Sequence, residues 1–294
     1  NSVTYGIYVS SSYVTISSVS IFNTGNIQSA GVLVPSWSSV LYSSISVQTA
    51  HGLVMTGSNN TVSFSTITDN VSGYFALYIN AASSNVVTRS QISNPGGIAA
   101  YLTSNANYNT ISQSTITSVS GFAAIEIDSS SNSISNCAIS NSGGYGLILA
   151  IAGSRHNTIS LSTITSSAAG YSALYLTGTA SNTIVDSYIQ GSTIAAYILG
   201  STGTIINSSV MVATNTTGDA LFLAGGSVNL TVASSTLRGG PSGRGLMLAE
   251  GNGGLVSIGS VTVTGAARGL EISTQAAGFI LAVDSITFRG LTSG

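Results

Sequence analysis

The sequence predicts an all-β solenoid: a single parallel β-helix of about twelve coils, each of about 24 residues, that occupies residues 1–294 as one domain. Two short motifs that alternate along the chain, together with the lack of any helical period, predict this fold class. Each unit of a repeat protein packs only on its neighbours. A chain of 294 residues therefore needs no second globular core.

The first motif is a small residue followed by an apolar, a variable and an apolar residue. It occurs twelve times, 21 to 27 residues apart, from Gly6 (GIYV) to Gly269 (GLEI). Apolar residues at every second position are typical of a β-strand. Each copy therefore predicts one short strand per coil.

The second motif follows about ten residues after the first. Its clearest copies are NTVSFSTI from Asn60, NTISQSTI from Asn109 and NTISLSTI from Asn157. Ile or Val again alternates with Ser or Thr, and segments rich in Gly, Ser and Ala, such as 142–144 and 167–170, separate the strands as turns. Two or three short strands in every 24 residues predict a parallel β-helix.

The pattern N-x-I-x-x-S-x-I resembles the right-handed parallel β-helix repeat family, the pectate-lyase-like superfamily, over nearly the whole chain. The resemblance implies a right-handed coil. It does not select an activity, because that superfamily includes polysaccharide lyases, hydrolases, epimerases, phage tailspikes and non-catalytic surface proteins. Its members that cleave acidic polysaccharides use clustered Asp for calcium and an Arg or Lys base. This chain has no Lys and scattered carboxylates, so we expect neither a metal nor a cofactor.

Charge is scarce in this chain. Charged residues make up 5% of it and the net charge is −2, so no basic surface is available for nucleic acid. No run of about 18 apolar residues is present, so we expect no membrane span. A surface of Ser, Thr, Asn, Gly and Tyr predicts an extracellular or cell-surface protein. Cys137, the single cysteine, falls in register with serines and is expected to be a buried thiol.

Asparagine recurs at one position of the second motif. Stacked coils place such residues about 4.8 Å apart, a distance at which amides hydrogen-bond from coil to coil. A binding role is the alternative to turn stabilisation. We expect a structural ladder of Asn60, Asn85, Asn109, Asn132, Asn157 and Asn182.

The variable residue of the first motif lies between two inward-facing residues and so points outward. Ten of the twelve residues in this outward column are apolar or aromatic, and exposed apolar stripes of this length usually mark interaction surfaces. A second copy of the protein, a glycan stacked on tyrosine, or a loop of the same chain could cover the column. Its predicted interaction residues are Tyr8, Leu33, Val54, Tyr78, Tyr101, Ile148, Tyr175, Tyr197, Phe222 and Met247.

The leading functional hypothesis is a non-catalytic structural protein. We see no amphipathic capping segment at either end of the sequence, and unpaired solenoid ends can stack into filaments. The column and the ends together predict self-assembly into a filament, sheath or surface layer, with other copies of the chain as partner. The alternative is a carbohydrate-binding or carbohydrate-cleaving β-helix of adhesin or tailspike type, with a glycan as partner.

A catalytic hypothesis depends on Glu126 and Asp128. These acids lie two residues apart on one strand, so both face outward about 6.8 Å apart, which is near the spacing of an inverting glycosidase pair. Tyr101 lies one coil away and would offer a platform for a sugar ring. His51 and His156 are expected to be plain turn residues. The Thr-x-Thr arrays expected of an ice-binding surface are interrupted, so ice binding is a minor alternative.

Overall fold

The structure, a computed structural model, describes residues 2–23 and 25–292 and forms two compact units, residues 1–144 and 145–294. The described residues form β-strands, turns and bends but no helix. This part of the chain therefore contains no helix that could span a membrane. The predicted parallel β-helix is confirmed, with six coils described in each unit and three short strands in each coil. The expectation of one domain stays a prediction.

The first unit contains eighteen strands in the described residues, which in chain order are β1 (Val3–Tyr8), β2 (Thr15–Ser17), β3 (Ser20–Phe22), β4 (Ile27–Val34), β5 (Ser39–Leu41), β6 (Ser44–Val47), β7 (His51–Met55), β8 (Thr61–Ser63), β9 (Thr66–Asp69), β10 (Leu77–Asn80), β11 (Val86–Thr88), β12 (Gln91–Asn94), β13 (Ala100–Thr103), β14 (Thr110–Ser112), β15 (Thr115–Ser118), β16 (Ala123–Ile127), β17 (Ser133–Ser135) and β18 (Ala138–Asn141).

The second unit likewise contains eighteen strands in its described part, which are β19 (Tyr145–Ala150), β20 (Thr158–Ser160), β21 (Thr163–Ser166), β22 (Ser172–Thr177), β23 (Thr183–Val185), β24 (Tyr188–Gly191), β25 (Ile194–Leu199), β26 (Ile205–Asn207), β27 (Val210–Ala213), β28 (Asp219–Ala224), β29 (Val228–Ala233), β30 (Thr236–Arg238), β31 (Arg244–Leu248), β32 (Gly253–Gly259), β33 (Val261–Thr264), β34 (Arg268–Ile272), β35 (Ile280–Val283) and β36 (Ile286–Arg289).

In each unit the first, second and third strands of successive coils form three parallel sheets, named here the first, second and third sheet. Pairing is in register, so that Ile92 in β12 lies between Ile67 and Ile116 of the adjacent coils. These inward residues are fully buried, as are Ile111 and Ile159 of the second sheet. Rows of Ile and Val side chains therefore fill the interior.

The small residue that begins the first motif is required by close packing. A Cβ added at Gly52 would lie 2.5 Å from the carbonyl oxygen of Ala76 and 2.7 Å from Cγ2 of Ile67. Gly146 has the same surroundings in the second unit, where a Cβ would lie 2.6 Å from the oxygen of Ala173. The chain enters the first sheet at these points with no room for a larger side chain.

The six predicted ladder asparagines are all at most 1% exposed. In the first unit the backbone N–H of Asn85 donates to Oδ1 of Asn109 over 2.9 Å, and that of Asn109 donates to Oδ1 of Asn132 over 2.8 Å. In the second unit the N–H of Asn157 donates to Oδ1 of Asn182 over 2.9 Å. Each amide thus receives a main-chain N–H from the adjacent coil at a corner where the backbone cannot continue its ladder.

A second row of buried polar groups lies at the corner between the second and third sheets. The backbone N–H of Ser65 donates to Oγ of Ser90 over 3.3 Å, and that of Ser90 donates to Oγ of Ser114 over 3.1 Å. Cys137 occupies this row, is 3% exposed, and its Sγ lies 3.3 Å from the oxygen of Ser135. Burial raises the pKa of the Cys137 thiol, so the group is an inert part of the core.

We predict that Asn109→Ala lowers the free energy of unfolding by about 2–4 kcal/mol, because it leaves several buried donors and acceptors unpaired. Oδ1 of Asn109 accepts from Asn85, while its Nδ2 donates to the oxygens of Ala82 and Ala106 over 3.0 and 2.7 Å. Urea unfolding followed by far-ultraviolet circular dichroism measures the change.

The matched control is Asn80→Ala, which removes a half-buried amide that makes no side-chain hydrogen bond to a described residue. Its effect should stay within about 0.5 kcal/mol. Equal losses in the two variants would contradict a structural role for the ladder.

Candidate functional site

The outward column of the first sheet is in register within each unit. Neighbouring members pair directly in adjacent strands, and its members are Tyr8, Leu33, Val54, Tyr78, Tyr101 and Glu126 in the first unit and Ile148, Tyr175, Tyr197, Phe222, Met247 and Glu271 in the second.

This column is less exposed than strand alternation alone suggests. Among its apolar members Tyr8 is 59% exposed, Val54 and Met247 are each 6% exposed, and the others are half-buried. Members that stack about 4.8 Å apart cover much of one another's surface. The column is therefore a partly covered strip of rings and apolar side chains.

Several rings cluster on the first sheet of the first unit. The rings of Tyr78 and Tyr101 are nearly parallel, with centroids 5.9 Å apart and an interplanar angle of 7°. Phe75, from the turn before β10, lies 5.0 Å from Tyr78 and 4.8 Å from Tyr101. The ring of His51 lies 4.8 Å from Tyr78 and 5.1 Å from Phe75. The strip thus becomes a packed aromatic surface here.

His51 is the first residue of strand β7, so its assignment to a turn was wrong. Its Nδ1 accepts a hydrogen bond of 3.0 Å from the backbone N–H of Phe75. Burial among rings lowers the pKa of His51 to about 4, which keeps the imidazole neutral near pH 7 and able to accept this bond. His51 therefore fixes the turn that carries Phe75.

A cavity of about 290 Å³ opens where the aromatic stack ends. Glu126 follows Tyr101 in the column and is narrower than a ring, so space remains beside it. Its lining is mainly apolar and consists of Gly73, Phe75, Gly97, Ile98, Tyr101, Phe122 and Glu126. One carboxyl group thus faces a space that is otherwise walled by rings, an isoleucine and glycine backbone.

Buried amides hold the turns that wall this cavity. Asn94 is fully buried, and its Oδ1 accepts from the N–H of Gly97 over 2.9 Å while its Nδ2 donates to the oxygen of Tyr74 over 2.8 Å. Nδ2 of Asn141 donates to the oxygen of Phe122 over 2.8 Å. Because these amides fix the backbone, the cavity wall is set by the core.

The two predicted acids have distinct surroundings. Burial, reinforced by the nearby charge of Asp128, raises the pKa of Glu126 to about 7. Burial also raises the pKa of Asp128, and a hydrogen bond of 2.7 Å donated by the hydroxyl of Tyr101 to Oδ2 opposes that shift. Burial raises the pKa of Tyr101 to about 12, so its phenol stays a donor.

Within this arrangement Glu126 exchanges a proton near neutral pH, whereas Asp128 orients the Tyr101 ring. Oδ1 of Asp128 is buried and has no hydrogen-bond partner among the described residues, which adds to the cost of ionising this carboxyl. The site can therefore offer a ligand aromatic carbon, one fixed ring and one carboxyl that donates or accepts.

The second unit also carries a ring series on its first sheet. Centroids of Tyr145 and Tyr175 are 5.0 Å apart, those of Tyr175 and Tyr197 are 5.3 Å apart, and those of Tyr197 and Phe222 are 5.1 Å apart. The guanidinium of Arg244 lies 5.7 Å from the Phe222 centroid. This end of the series is occupied by a cation.

Ion pairs fix that cation. Arg244 lies 2.7 Å from Oδ2 of Asp219, whose side chain is 5% exposed, and 3.7 Å from Glu271. Glu271 also pairs with Arg268 over 2.5 Å. The predicted column member Glu271 is thus a structural partner of two arginines.

Other predicted positions stay apart from these clusters. His156 is exposed at a turn with φ of 54°, as expected for a plain turn residue. Across residues 2–23 and 25–292, no group of three or more His, Cys, Asp or Glu side chains is placed to hold a metal ion.

Sequence reasoning missed Phe75, Phe122 and the packing of His51. A signal was present, because a ring residue stands directly before the small residue of the first motif at Tyr5, His51, Phe75 and Tyr145. Strict strand alternation assigns that position to the interior. After His51, Phe75 and Tyr145 the small residue and the next apolar residue are both buried, so the alternation is interrupted and the ring lies beside the outward column.

The family described as "Right handed beta helix region" matches residues 2–150 and 123–286. This match confirms the right-handed coil that the sequence motif implied. No curated protein matches the sequence.

Several solved structures share the fold at low sequence identity. The A-module of the Azotobacter vinelandii mannuronan C-5 epimerase AlgE4 has a TM-score of 0.60 at 11% identity, over 91% of this chain and 89% of that chain. A mutant tailspike protein of E. coli bacteriophage HK620, solved with a hexasaccharide, has a TM-score of 0.62 at 9% identity, over 95% of this chain and 60% of that chain. The pectate lyase Pel9A has a TM-score of 0.52 at 12% identity, over 89% of this chain and 70% of that chain.

We predict that the stability of the protein depends on pH through Glu126. Its folded pKa of about 7 exceeds the ordinary 4.5, so the folded chain holds this proton more tightly than the unfolded chain. The contribution of Glu126 to the free energy of unfolding is complete below about pH 4.5 and falls as pH rises through about 7. The glutamine of the Glu126→Gln variant cannot ionise. The melting temperature of the variant minus that of the wild type should therefore increase as pH rises.

Calorimetry of both proteins between about pH 5 and pH 8 measures this difference. Comparison with the variant is needed because two other groups also make the free energy of unfolding depend on pH. Burial raises the pKa of Asp69 to about 6, so its contribution also falls as pH rises. His51 has the opposite effect below pH 6.5, because burial lowers its pKa. The control is Asp284→Asn, which changes an exposed acid. Its melting temperature should follow pH in parallel with that of the wild type. A Glu126→Gln curve that also runs parallel would refute the assignment.

Proposed function

The chain belongs to the right-handed β-helix family, and within this fold we propose that the cavity beside Tyr101 binds a carbohydrate outside the cell or at its surface. One observation carries the proposal: the cavity joins the rings of Phe75, Tyr101 and Phe122 to the carboxyl of Glu126. Fold alone does not assign function, so the argument depends on this site.

The chemistry of the lining suits a sugar. A pyranose has an apolar face of C–H groups and a rim of hydroxyls, which match aromatic carbon and a hydrogen-bonding carboxyl respectively. With a pKa of about 7, Glu126 can donate to or accept from a hydroxyl near neutral pH. A volume of about 290 Å³ lies at the lower end of ordinary ligand sites.

The site is also ordered in advance. The hydrogen bond from Tyr101 to Asp128 holds the ring, and the buried amides of Asn94 and Asn141 hold the facing turns. Side chains that are already fixed lose little entropy when a ligand binds. A mutant HK620 tailspike was solved with a hexasaccharide, and the AlgE4 A-module belongs to a mannuronan epimerase. Both lend support as proteins of similar fold.

We predict that Tyr101→Ala weakens oligosaccharide binding by about tenfold or more, equal to ~1.4 kcal/mol. Screening on a glycan array identifies a ligand, and isothermal titration calorimetry measures its Kd. Tyr101→Phe keeps the ring but loses the bond to Asp128, so it should retain most of the affinity.

The control Tyr188→Ala removes a ring from the third sheet of the second unit and should leave the Kd unchanged. Both alanine variants must first show native far-ultraviolet spectra. If folded Tyr101→Ala binds as the wild type does, or if no oligosaccharide binds at all, the proposal fails.

A second candidate is hydrolysis of the bound glycan. Its specific support is the raised pKa of Glu126, which provides a protonated acid near neutral pH beside Asp128 two residues away. Asp128 directly follows the end of β16, and two residues of extended chain span about 6.8 Å, within the ~6.5–9.5 Å of inverting glycosidases. Glu126 would protonate the leaving oxygen, and Asp128 would activate water through Oδ2 in exchange for its hydrogen bond from Tyr101.

This candidate predicts that the double variant Glu126→Gln, Asp128→Asn loses glycan-cleaving activity by about a thousandfold or more. Reducing-end assays on any polysaccharide that the wild type cleaves provide the measurement. Full activity in the folded double variant would eliminate this pair as catalytic groups.

Self-assembly through the outward column stays a prediction. The geometry supports it less than it supports ligand binding, because most column members are half-buried and Val54 and Met247 are buried within the chain itself. The extracellular location likewise stays a prediction, supported by the scarcity of charge and the absence of lysine.

A further inference from the structure

A second surface feature lies at the corner between the second and third sheets of the first unit. One residue makes this corner in each coil and adopts the left-handed conformation, with φ of 49° at Tyr42, 51° at Phe64, 48° at Arg89 and 50° at Gln113. Asn, Asp and Gly are favoured there, because other residues clash with their own backbone. Four consecutive coils instead carry large side chains.

These side chains form a continuous row. The rings of Tyr42 and Phe64 stack with centroids 5.0 Å apart and planes 10° apart. The guanidinium of Arg89 lies 5.4 Å from the Phe64 centroid, and its Nε donates to Oε1 of Gln113 over 2.9 Å. Arg89 is thus held on both sides although it is exposed to solvent.

A surface groove of about 620 Å³ runs beside this row. Phe64, Arg89 and Gln113 line one side. The other side is formed by exposed outward residues of the third sheet, Thr66, Gln91 and Thr115, where Gln91 pairs in register with both threonines. Amides and hydroxyls therefore repeat along the groove at the coil spacing of about 4.8 Å.

The charge of Arg89 is not neutralised. It forms no ion pair with any described residue, whereas Arg244 and Arg268 pair with carboxylates. A guanidinium that is fixed in place but lacks an acid partner matches a carboxylate brought by a ligand. The surrounding amides and hydroxyls match the hydroxyls of a saccharide.

We propose that this corner groove is a second binding site, separate from the Tyr101 cavity, for an acidic oligosaccharide whose carboxylate pairs with Arg89 and whose hydroxyls contact Gln91, Thr66 and Thr115. The groove has repeating polar groups along one line, which suits a polymer of regular units. An acidic peptide would satisfy Arg89 alone and leave those groups without regular partners.

A matched pair of probes tests this site: a cello-oligosaccharide, and the same oligosaccharide oxidised at C6 to the glucuronate form. Binding is followed by isothermal titration calorimetry at low salt, where charge is least screened. The oxidised probe should bind at least about tenfold more tightly than the neutral one, and added salt should weaken it.

Arg89→Gln should lower the affinity for the oxidised probe by about tenfold or more. Arg155→Gln makes the same change of charge at an exposed turn of the second unit, where Nε of Arg155 donates to the oxygen of Ala152, and should leave the affinity unchanged. Tyr101→Ala should also leave it unchanged, which separates this site from the proposed cavity. Melting curves verify that each variant folds.

Four results would overturn the proposal: no binding of the oxidised probe, equal binding of the two probes, equal losses in Arg89→Gln and Arg155→Gln, or a loss in folded Tyr101→Ala. A poly-glutamate peptide that competes as strongly as the oxidised probe would also overturn it. That outcome would show that binding depends on the negative charge of the ligand and not on its saccharide hydroxyls.

Discussion

In-register parallel stacking is the constraint on which the rest of this structure depends. Each coil meets the next about 4.8 Å away, so most strand residues lie beside a residue of the same position in the adjacent coil. Inward positions become rows of Ile such as Ile67, Ile92 and Ile116, and outward positions become rows of rings. A substitution therefore changes a row as well as a residue, and a functional surface can arise only from several coils together.

Corners are where this constraint is most costly, because the backbone turns there and main-chain N–H groups lose their partners in the sheets. Buried amides and hydroxyls take over that role, as Asn109 and Ser90 do in the first unit. Since these amide and hydroxyl side chains carry no charge, they can be buried without an ion pair. The same device holds the turns beside the Tyr101 cavity through Asn94 and Asn141, so the rigidity of the candidate site comes from the fold itself.

Periodicity in the sequence was sufficient for the fold because the two-residue period and the 24-residue repeat both follow from backbone geometry. It also identified Tyr101 and Glu126, which lie within regular strands, and Asp128, which directly follows the last residue of β16. It failed for His51 and Phe75, because the two residues after each ring are both buried, so strict alternation of inward and outward side chains does not hold there. It also overstated the exposure of the outward column, since mutual covering by stacked neighbours cannot be read from one position at a time.

Scarce charge makes each remaining charge informative. With 5% of residues charged, the surface must recognise partners mainly through rings, hydroxyls and amides. Charges that serve the fold are recognisable by their partners, as Arg244 is by Asp219. Glu126 and Arg89 differ, because the first is kept in a ring-lined cavity where burial raises its pKa, and the second is fixed on a ring without an acid beside it. Groups that the fold restrains without neutralising are the ones that a ligand can satisfy, which is why both proposed sites contain one of them.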